Sequence, residues 1–530
     1  MVIEMRSTIE RLLAAGQLSP KLILRGLEKE NLRLDQAGRL SHRPHPKALG
    51  TKQTHPHITT DFAEAQMEIV SGVHRSVASL CAEFEALYQF IYPRLEQELL
   101  WPYSMPCMTD PAEITPAYYG KNNAAKMKHV YRRGLILRYG KAMQIICGIH
   151  YNFSLDERVF DYLRKEEGSK LSLQDYVSAR YMGLIRNYFR WYWLLPYLFG
   201  ASPLVMKSSL SKQIPECLVN WDHQAFYAPH ATSLRMTRIG YQNNTQSGLK
   251  ICHNTIEAYG NSLLAATQIP YDVFEALGVI DAEGQYQQLN ANILQIENEY
   301  YSPIRPKRVT RPGERPATAL LSRGIEYIEI RVSDLNPLLP LGLAPEQLKF
   351  MDVFLLFCLL NDSPQFAAGE LTRHRQNFNL VALHGRNPDL RLQTETGVRA
   401  FREWAETLFA EMQPLAAALD GVEAEGYQAA LAIQMAKLSQ TELLPSDQIM
   451  QGLHDTGLCL NNFMMKQAAL HRDWFMRQTS SFDPVIYGQQ IAESERAWQA
   501  LEAEPSISFN EYLANYFAQG VVCDPRRLCY

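Results

Sequence analysis

Residues 24–34 read LRGLEKENLRL, and this stretch constrains the fold more than any other in the chain. Its leucines, bounded by Gly26, suit a short strand. Successive strand side chains point to opposite faces, so Glu28 and Glu30 share one face. Like charges side by side on a sheet face destabilise it. A chain that keeps this pair needs positive charge over that face, or needs the face wet.

The same signature recurs. HITTDFAEAQMEIVSG puts Glu64, Gln66 and Glu68 on one face of a strand over 58–70, with Asp61 at its entry. QIICGIHYNFSL, in a strand over 143–155, puts His150 on a face with Ile146, Gly148 and Asn152. Gly148 leaves room for a ligand or another backbone to approach. LNANILQIENEYYSPIRPKR reads as a strand over 289–300, ended by Tyr300 or Tyr301 and followed by a basic loop over 305–315. RGIEYIEIRVSDLNP, a strand over 324–332, puts Tyr327, Glu329 and Arg331 on one face. Polar residues at alternate positions mark sheets with one wet face, which favours antiparallel pairing.

Helices are expected over 76–100, 172–195 and 345–360, the last opening on Pro345 at a first helical position. Long helical periodicity takes over near Gly397. The fold class expected is therefore α+β, with a mainly antiparallel sheet, surrounding helices and a helical C-terminal region. Residues 1–396 are expected to form the catalytic domain and 397–530 the helical region.

Composition narrows the classes. The 530 residues exceed one ordinary domain core. A net charge of −4 offers no basic footprint for nucleic acid. The stretch YFRWYWLLPYLFGASPLV contains Arg190 and Pro196, so it reads as a buried helix ending near Pro196 and not as a membrane span. The nine cysteines are odd in number and form no C-x-x-C pair, which argues against a disulfide framework or zinc site and for a reducing cytosol. Cys523 and Cys529 read as idle. The N-terminus lacks the apolar core of a signal peptide, so a cytoplasmic location is expected.

One acidic strand face is ordinarily just solvated, and one histidine is ordinarily a satisfied core residue. The collective pattern says more. If these strands join one sheet, Glu28, Glu30, Asp61, Glu68, His150 and Glu329 converge. So many carboxylates stay ionised together only with cations, and hard divalent ions with oxygen ligands fit. Metals bridging phosphates neutralise the charge that develops in phosphoryl transfer. Arg331 and the basic loop over 305–315 can then clamp phosphate or carboxylate oxygens.

Several motifs together resemble the bacterial glutamate–cysteine ligases: RGLEKENLRL, HITTDFAEAQMEIVSG, WPYSMPC, YRRGLILRYG, IHYNFSL, IRNYFR, LPYLFGASP, ATSLRMTRIGY, LQIENEYYSPIRPKR and IEYIEIR. The resemblance is ordered from about residue 20 to about residue 390 and weakens in the C-terminal region. It implies a glutamine synthetase-like core, ATP as co-substrate and magnesium, with manganese as a substitute at a site containing His150. It implies metal ligands at Glu28, Glu30, Asp61, Glu68, His150 and Glu329. The amino-acid site it implies maps onto Tyr131, Arg132, Arg235, Tyr241, Tyr300 and Arg331, with Tyr131, Tyr241 and Tyr300 around cysteine. Leu135 and Ile146 would shape the thiol pocket, and Tyr301 is read as merely half-buried. Arg331 and Glu329 are the residues expected to serve catalysis, and a loop around 240–248, with Asn243, Asn244 and Gly248, is a candidate lid. The partners expected are glutamate, cysteine and ATP, with no nucleic acid, no membrane and a monomeric unit. The length leaves no room for the second, ATP-grasp domain of bifunctional glutathione-making enzymes. Two rivals remain open here: a ligase with a different acceptor amine, and a silent nucleotide- or metal-binding protein on the same scaffold.

Overall fold

A computed structural model describes residues 2–210, 214–240, 246, 249–479, 481–505 and 507–520. Its centre is a seven-stranded sheet. The strands are β1 (Ile23–Leu34), β2 (Ile58–Thr60), β3 (Gln66–Val70), β4 (Leu99–Leu100), β5 (Ile149–Leu155), β6 (Ile304–Lys307) and β7 (Tyr327–Ser333). They lie in the order β2-β3-β1-β5-β7-β6, with β4 pairing on the far part of β1. Every pairing is antiparallel. The β5–β7 register slips between Ile330 and Ser333, a bulge of the kind that bends a strand.

One face is largely apolar: Leu27, Met67, Ile69, Tyr151, Phe153, Ile328 and Ile330 are all buried. The central strand β1 breaks this rule with Arg25, Lys29, Asn31 and Arg33, also buried on that face. Burying polar groups is costly unless they are paired, and these are. The Arg25 guanidinium meets Asp352 at 2.8 Å. Asp352 also accepts from the hydroxyls of Tyr151, at 2.5 Å, and Tyr427, at 3.2 Å. Asn31 donates to the Trp101 carbonyl and accepts from Tyr88, and Arg33 meets Glu98 at 2.8 Å. The Lys29 amine lies over the Tyr88 ring, and burial pulls it down to about 7.

These contacts tie the sheet to the helices behind it. Tyr88 lies on α1 (Val77–Ile91), Asp352 on α3 (Pro345–Leu360) and Tyr427 on α4 (Tyr427–Ala436). Helix α2 (Asn123–Tyr139) is tied to the β2–β3 turn through Arg132, and α5 (Pro484–Ala503) and α6 (Phe509–Phe517) are the last described helices. One apolar cluster contains residues from Met5 to Tyr487 and so spans the 396/397 division, which remains a proposal from sequence.

Five expected elements differ. The strand over 143–155 begins only at Ile149, because residues 142–145 form a helical turn. The strand over 58–70 is a hairpin, and its turn takes Glu64 off the Glu68 face to meet Lys52. Residues 289–300 form no strand; the edge strand is β6. There Asn290, Gln295 and Glu299 side chains bond nearby backbone groups, which satisfies the chain without a sheet partner. The helix over 76–100 ends at Ile91, just before Pro93. The helix over 172–195 stops at Trp191, and Pro196 lies inside a new short helix, Leu194–Phe199, where an early position spares it a lost bond. Helix α2 was not anticipated.

Removing one partner of a buried ion pair strands the other charge. Asp352→Ala should cost about 3–5 kcal/mol, read as a lowered urea midpoint. A midpoint within error of the parent would show that the Arg25 cluster does not hold the sheet to its helices.

Candidate active site

The second face of the sheet carries the acids. Glu28 is directly opposite His150 across β1 and β5, and Glu30 is opposite Glu68 across β1 and β3. Glu329 is opposite Asn152 across β7 and β5, which places it one strand beyond His150 and two beyond Glu28. His150 Nδ1 is 3.2 Å from Glu28 Oε2 and 4.0 Å from Glu329 Oε1, and its Nε2 is 3.7 Å from Glu30 Oε1. Atoms of Glu28, His150 and Glu329 lie within 4.8 Å of one another, a spacing that suits one cation. Asp61, at the β2–β3 turn, faces Glu30 and Glu68.

The electrostatics divide this set. Burial, with Asp61 beside it, pushes the Glu30 carboxyl up to about 8. Burial and Asp61 likewise hold Glu68 well above the ordinary carboxylate range. Burial also works against the charged forms of Glu28 and Glu329, but it loses there. The hydrogen bond from His150 brings Glu28 down, and Lys307 and Arg331 hold Glu329 well below the usual range. Burial, then Arg331, lowers His150, which leaves the imidazole neutral with a lone pair to offer. Buried and half-buried carboxylates crowded this closely, beside a neutral imidazole, fit a divalent-metal site.

Beside the acids opens a cavity of about 420 Å³, the size of a small-ligand site. Glu30 and Asp61 form its acidic edge, with Arg331 beside them. Helix α2 forms a wall with Tyr131, Arg132, Leu135, Arg138 and Tyr139, one face at i, i+1, i+4, i+7 and i+8. Arg132 donates through Nε to the Asp61 carbonyl at 2.8 Å, which locks helix to turn. The opposite wall includes Glu299, Tyr301 and Arg305. Glu299 accepts from Arg138 at 2.9 Å and from the Tyr139 hydroxyl at 2.6 Å. Gln246 donates to the Glu299 carbonyl at 2.8 Å and accepts from the Tyr301 N–H at 3.0 Å.

The family model for glutamate–cysteine ligase matches residues 13–381. The chain belongs to the glutamate–cysteine ligase family. The glutamate–cysteine ligase of Pseudomonas paraeruginosa is 43% identical over 498 residues, 93% of this chain and 94% of the relative. That of Alcanivorax borkumensis is 43% identical over 502 residues, 93% of this chain and 95% of the relative. The crystal structure of the Francisella tularensis glutamate–cysteine ligase in complex with AMP superposes with a TM-score of 0.88 at 35% identity, covering 94% of this chain and 97% of that one. A bifunctional glutathione synthetase from Pasteurella multocida shares the fold at TM-score 0.71 and 21% identity, with 96% of this chain covering 59% of its length. The helical C-terminal region, where sequence resemblance fades, is within the extent of the Pseudomonas and Francisella matches.

Tyr131, Arg132, Leu135 and Arg331 line the cavity. Tyr300 does not: it is buried, and its hydroxyl accepts from Arg375 at 3.1 Å, whereas its neighbour Tyr301 turns into the cavity. The η-turn Glu297–Glu299 shifts the alternation by which Tyr300 would have faced inward. Ile146 is buried beneath the surface, and Met143 and Phe62 supply apolar wall instead. Arg235 lies behind the wall, donating to the Arg331 carbonyl at 3.0 Å. A Cβ on Gly148 would fall 2.0 Å from its guanidinium, so the room at Gly148 admits this arginine and not a ligand. Tyr241 and the lid residues Asn243, Asn244 and Gly248 fall outside the described residues. Arg305 and Lys307 belong to the basic loop expected to clamp oxygens: Arg305 lines the cavity and Lys307 meets Glu329. Arg138, Tyr139 and Glu299 were missed; the helical spacing from Tyr131 would have found the first two.

The raised carboxyls carry a pH consequence. Glu30 moves from 4.5 to about 8, so the metal-free fold loses stability as pH rises through that window. Divalent ions ligate only the deprotonated form. Magnesium should therefore raise Tm more at pH 8.5 than at pH 6 in calorimetric scans; the reverse order would remove Glu30 and Glu68 from the metal site.

Proposed function

We propose that this protein joins the γ-carboxylate of L-glutamate to the amine of L-cysteine, coupled to cleavage of ATP. The products are γ-glutamylcysteine, ADP and phosphate, and the reaction opens glutathione biosynthesis. The observation that carries the reading is the shared edge of two features. Glu30, Asp61 and Arg331 belong both to the acid-and-histidine face and to the wall of the small-molecule cavity. The names of the Pseudomonas and Francisella relatives support it, and the AMP bound to the latter supports a nucleotide substrate.

The chemistry has two steps. An oxygen of the glutamate γ-carboxylate attacks the γ-phosphorus of ATP, and the bond to ADP breaks, leaving γ-glutamyl phosphate. The cysteine nitrogen then attacks the acyl carbon, the carbon–oxygen bond to phosphate breaks, and phosphate leaves with the electron pair. No protein nucleophile is needed, so positioning and charge stabilisation carry the rate. Glu28, Glu30, Asp61, Glu68, His150 and Glu329 are the residues that would hold magnesium, or manganese in its place. When bound there, the ion neutralises phosphate charge during transfer.

The chain's own groups do the rest. Arg331 Nη1 is 3.2 Å from Glu329 and 3.4 Å from His150 Nδ1, so its fork is fixed beside the metal-type residues and faces the cavity. In this reading it takes the charge of the acyl phosphate. Lys307, 3.2 Å from Glu329, adds positive charge on the same strand pair. Tyr131, Arg132 and Tyr301 orient the amino acids, and Leu135 with Met143 receives the thiol. The working unit is taken as a cytoplasmic monomer acting on small molecules. Among the described residues, no helix is long and apolar enough to cross a membrane.

Coupled ADP release with glutamate, magnesium and cysteine tests the reading. Cysteine should stimulate turnover well above alanine, 2-aminobutyrate or ammonia; equal rates would assign a different acceptor. Glu329→Gln should lower kcat by about 10²-fold or more with the circular dichroism spectrum retained. Full activity in that variant would remove the metal role.

A further inference from the structure

The C-terminal helices have no assigned part in the reaction, yet they reach the cavity wall. On α5, Ser494, Trp498 and Glu502 are spaced by four and share one face. Glu502 Oε1 accepts from the backbone N–H of Lys121 at 2.8 Å, from that of Asn122 at 2.9 Å and from Asn122 Nδ2 at 2.7 Å. Trp498 Nε1 donates to the Tyr119 carbonyl at 2.9 Å. Between these anchors, Gly120 has a φ of +142°, and a Cβ there would lie 2.4 Å from Glu502 Oε1. The loop is shaped to admit the carboxylate.

The anchored loop sets α2. Asn122 caps it, with Oδ1 accepting from the Ala125 N–H at 2.9 Å. Glu502 also places negative charge at the positive end of the helix dipole. Tyr119 carries the second connection. Its hydroxyl accepts from Arg132 Nη2 at 2.9 Å, and Arg132 grips the Asp61 carbonyl. Helix α6 adds a third: Phe509, Leu513 and Tyr516 pack with Met127 and Val130 of α2. Ser494 holds the neighbouring loop, accepting from the Thr51 N–H at 3.1 Å.

We propose that Glu502 and Trp498 are positioning residues for the amino-acid cavity. They fix residues 119–122, and through the Asn122 cap and the Tyr119–Arg132–Asp61 chain they fix the register of the wall helix against the acidic edge. The proposal rests on the reading of that cavity as the amino-acid site. A displacement of the wall by about 1 Å is enough to lower rates 10²-fold.

The test uses the full-length chain with Glu502→Ala, Glu502→Gln and Trp498→Phe. Glu502→Ala and Trp498→Phe should raise KM for cysteine or glutamate about tenfold, with KM for ATP within about twofold and Tm little changed. Glu502→Gln keeps one acceptor oxygen and should recover most of the loss. Amide hydrogen exchange over residues 122–130 should quicken in Glu502→Ala and return towards the parent rate in Glu502→Gln. Unchanged amino-acid KM values with unchanged exchange would overturn the proposal. So would an equal rise in KM for ATP accompanied by a general loss of folded protein. If the parent chain itself lacks cysteine-stimulated ADP release, the functional reading fails instead, and the exchange rates alone decide whether Glu502 holds the wall helix.

Discussion

Mutual repulsion among buried carboxylates is the constraint around which the structure is arranged. Glu28, Glu30 and Glu68 lie side by side on paired strands, with Glu329 two strands further along, beyond the strand of His150. Such a face cannot hold itself together. Its stability is supplied from the other side of the sheet, where the apolar cluster and the Arg25–Asp352 pair fasten the strands to helices. The pairing of strands brings the acids close, and the core behind them prevents them from moving apart. What remains is a concentrated demand for positive charge, partly met by Lys307 and Arg331 and otherwise open to a cation.

The uneven electrostatics follow from where the protein cations stand. Lys307 and Arg331 flank Glu329, so that carboxylate stays ionised, while burial, with Asp61 beside them, forces Glu30 and Glu68 up. One end of the face is therefore charged without metal, and the other acquires charge as an ion displaces protons. The cavity adjoins the second end. A substrate entering there meets residues whose charge depends on what is bound, next to a wall held from a distance by the C-terminal helices.

Much of this was legible in the strands. Period-two alternation in LRGLEKENLRL and IEYIEIR put Glu28, Glu30, Glu329 and Arg331 on common faces, and pairing bore out that alternation. Alternation failed where side chains compete with the sheet for backbone groups. The Asn290–Gln295–Glu299 bonds replaced an expected strand with a loop and an η-turn, and so exchanged Tyr300 for Tyr301 at the cavity. The room read at Gly148 was ambiguous for a related reason: a glycine shows that something approaches closely, but not whether it is a ligand or, as here, the Arg235 guanidinium.

The sequence by itself determined the antiparallel α+β character, the acidic face and the kinship to glutamate–cysteine ligases, because these rest on local periodicity and on ordered motifs. Only the tertiary structure decided the neighbours of each acid, the wall that α2 presents, and the link from Glu502 across more than 370 residues of chain to the Asn122 cap, 380 positions away. Strand register and long-range hydrogen bonds join segments that carry no mark of one another in sequence. Their meeting is fixed by how the whole chain buries its apolar surface, and no single segment contains that information.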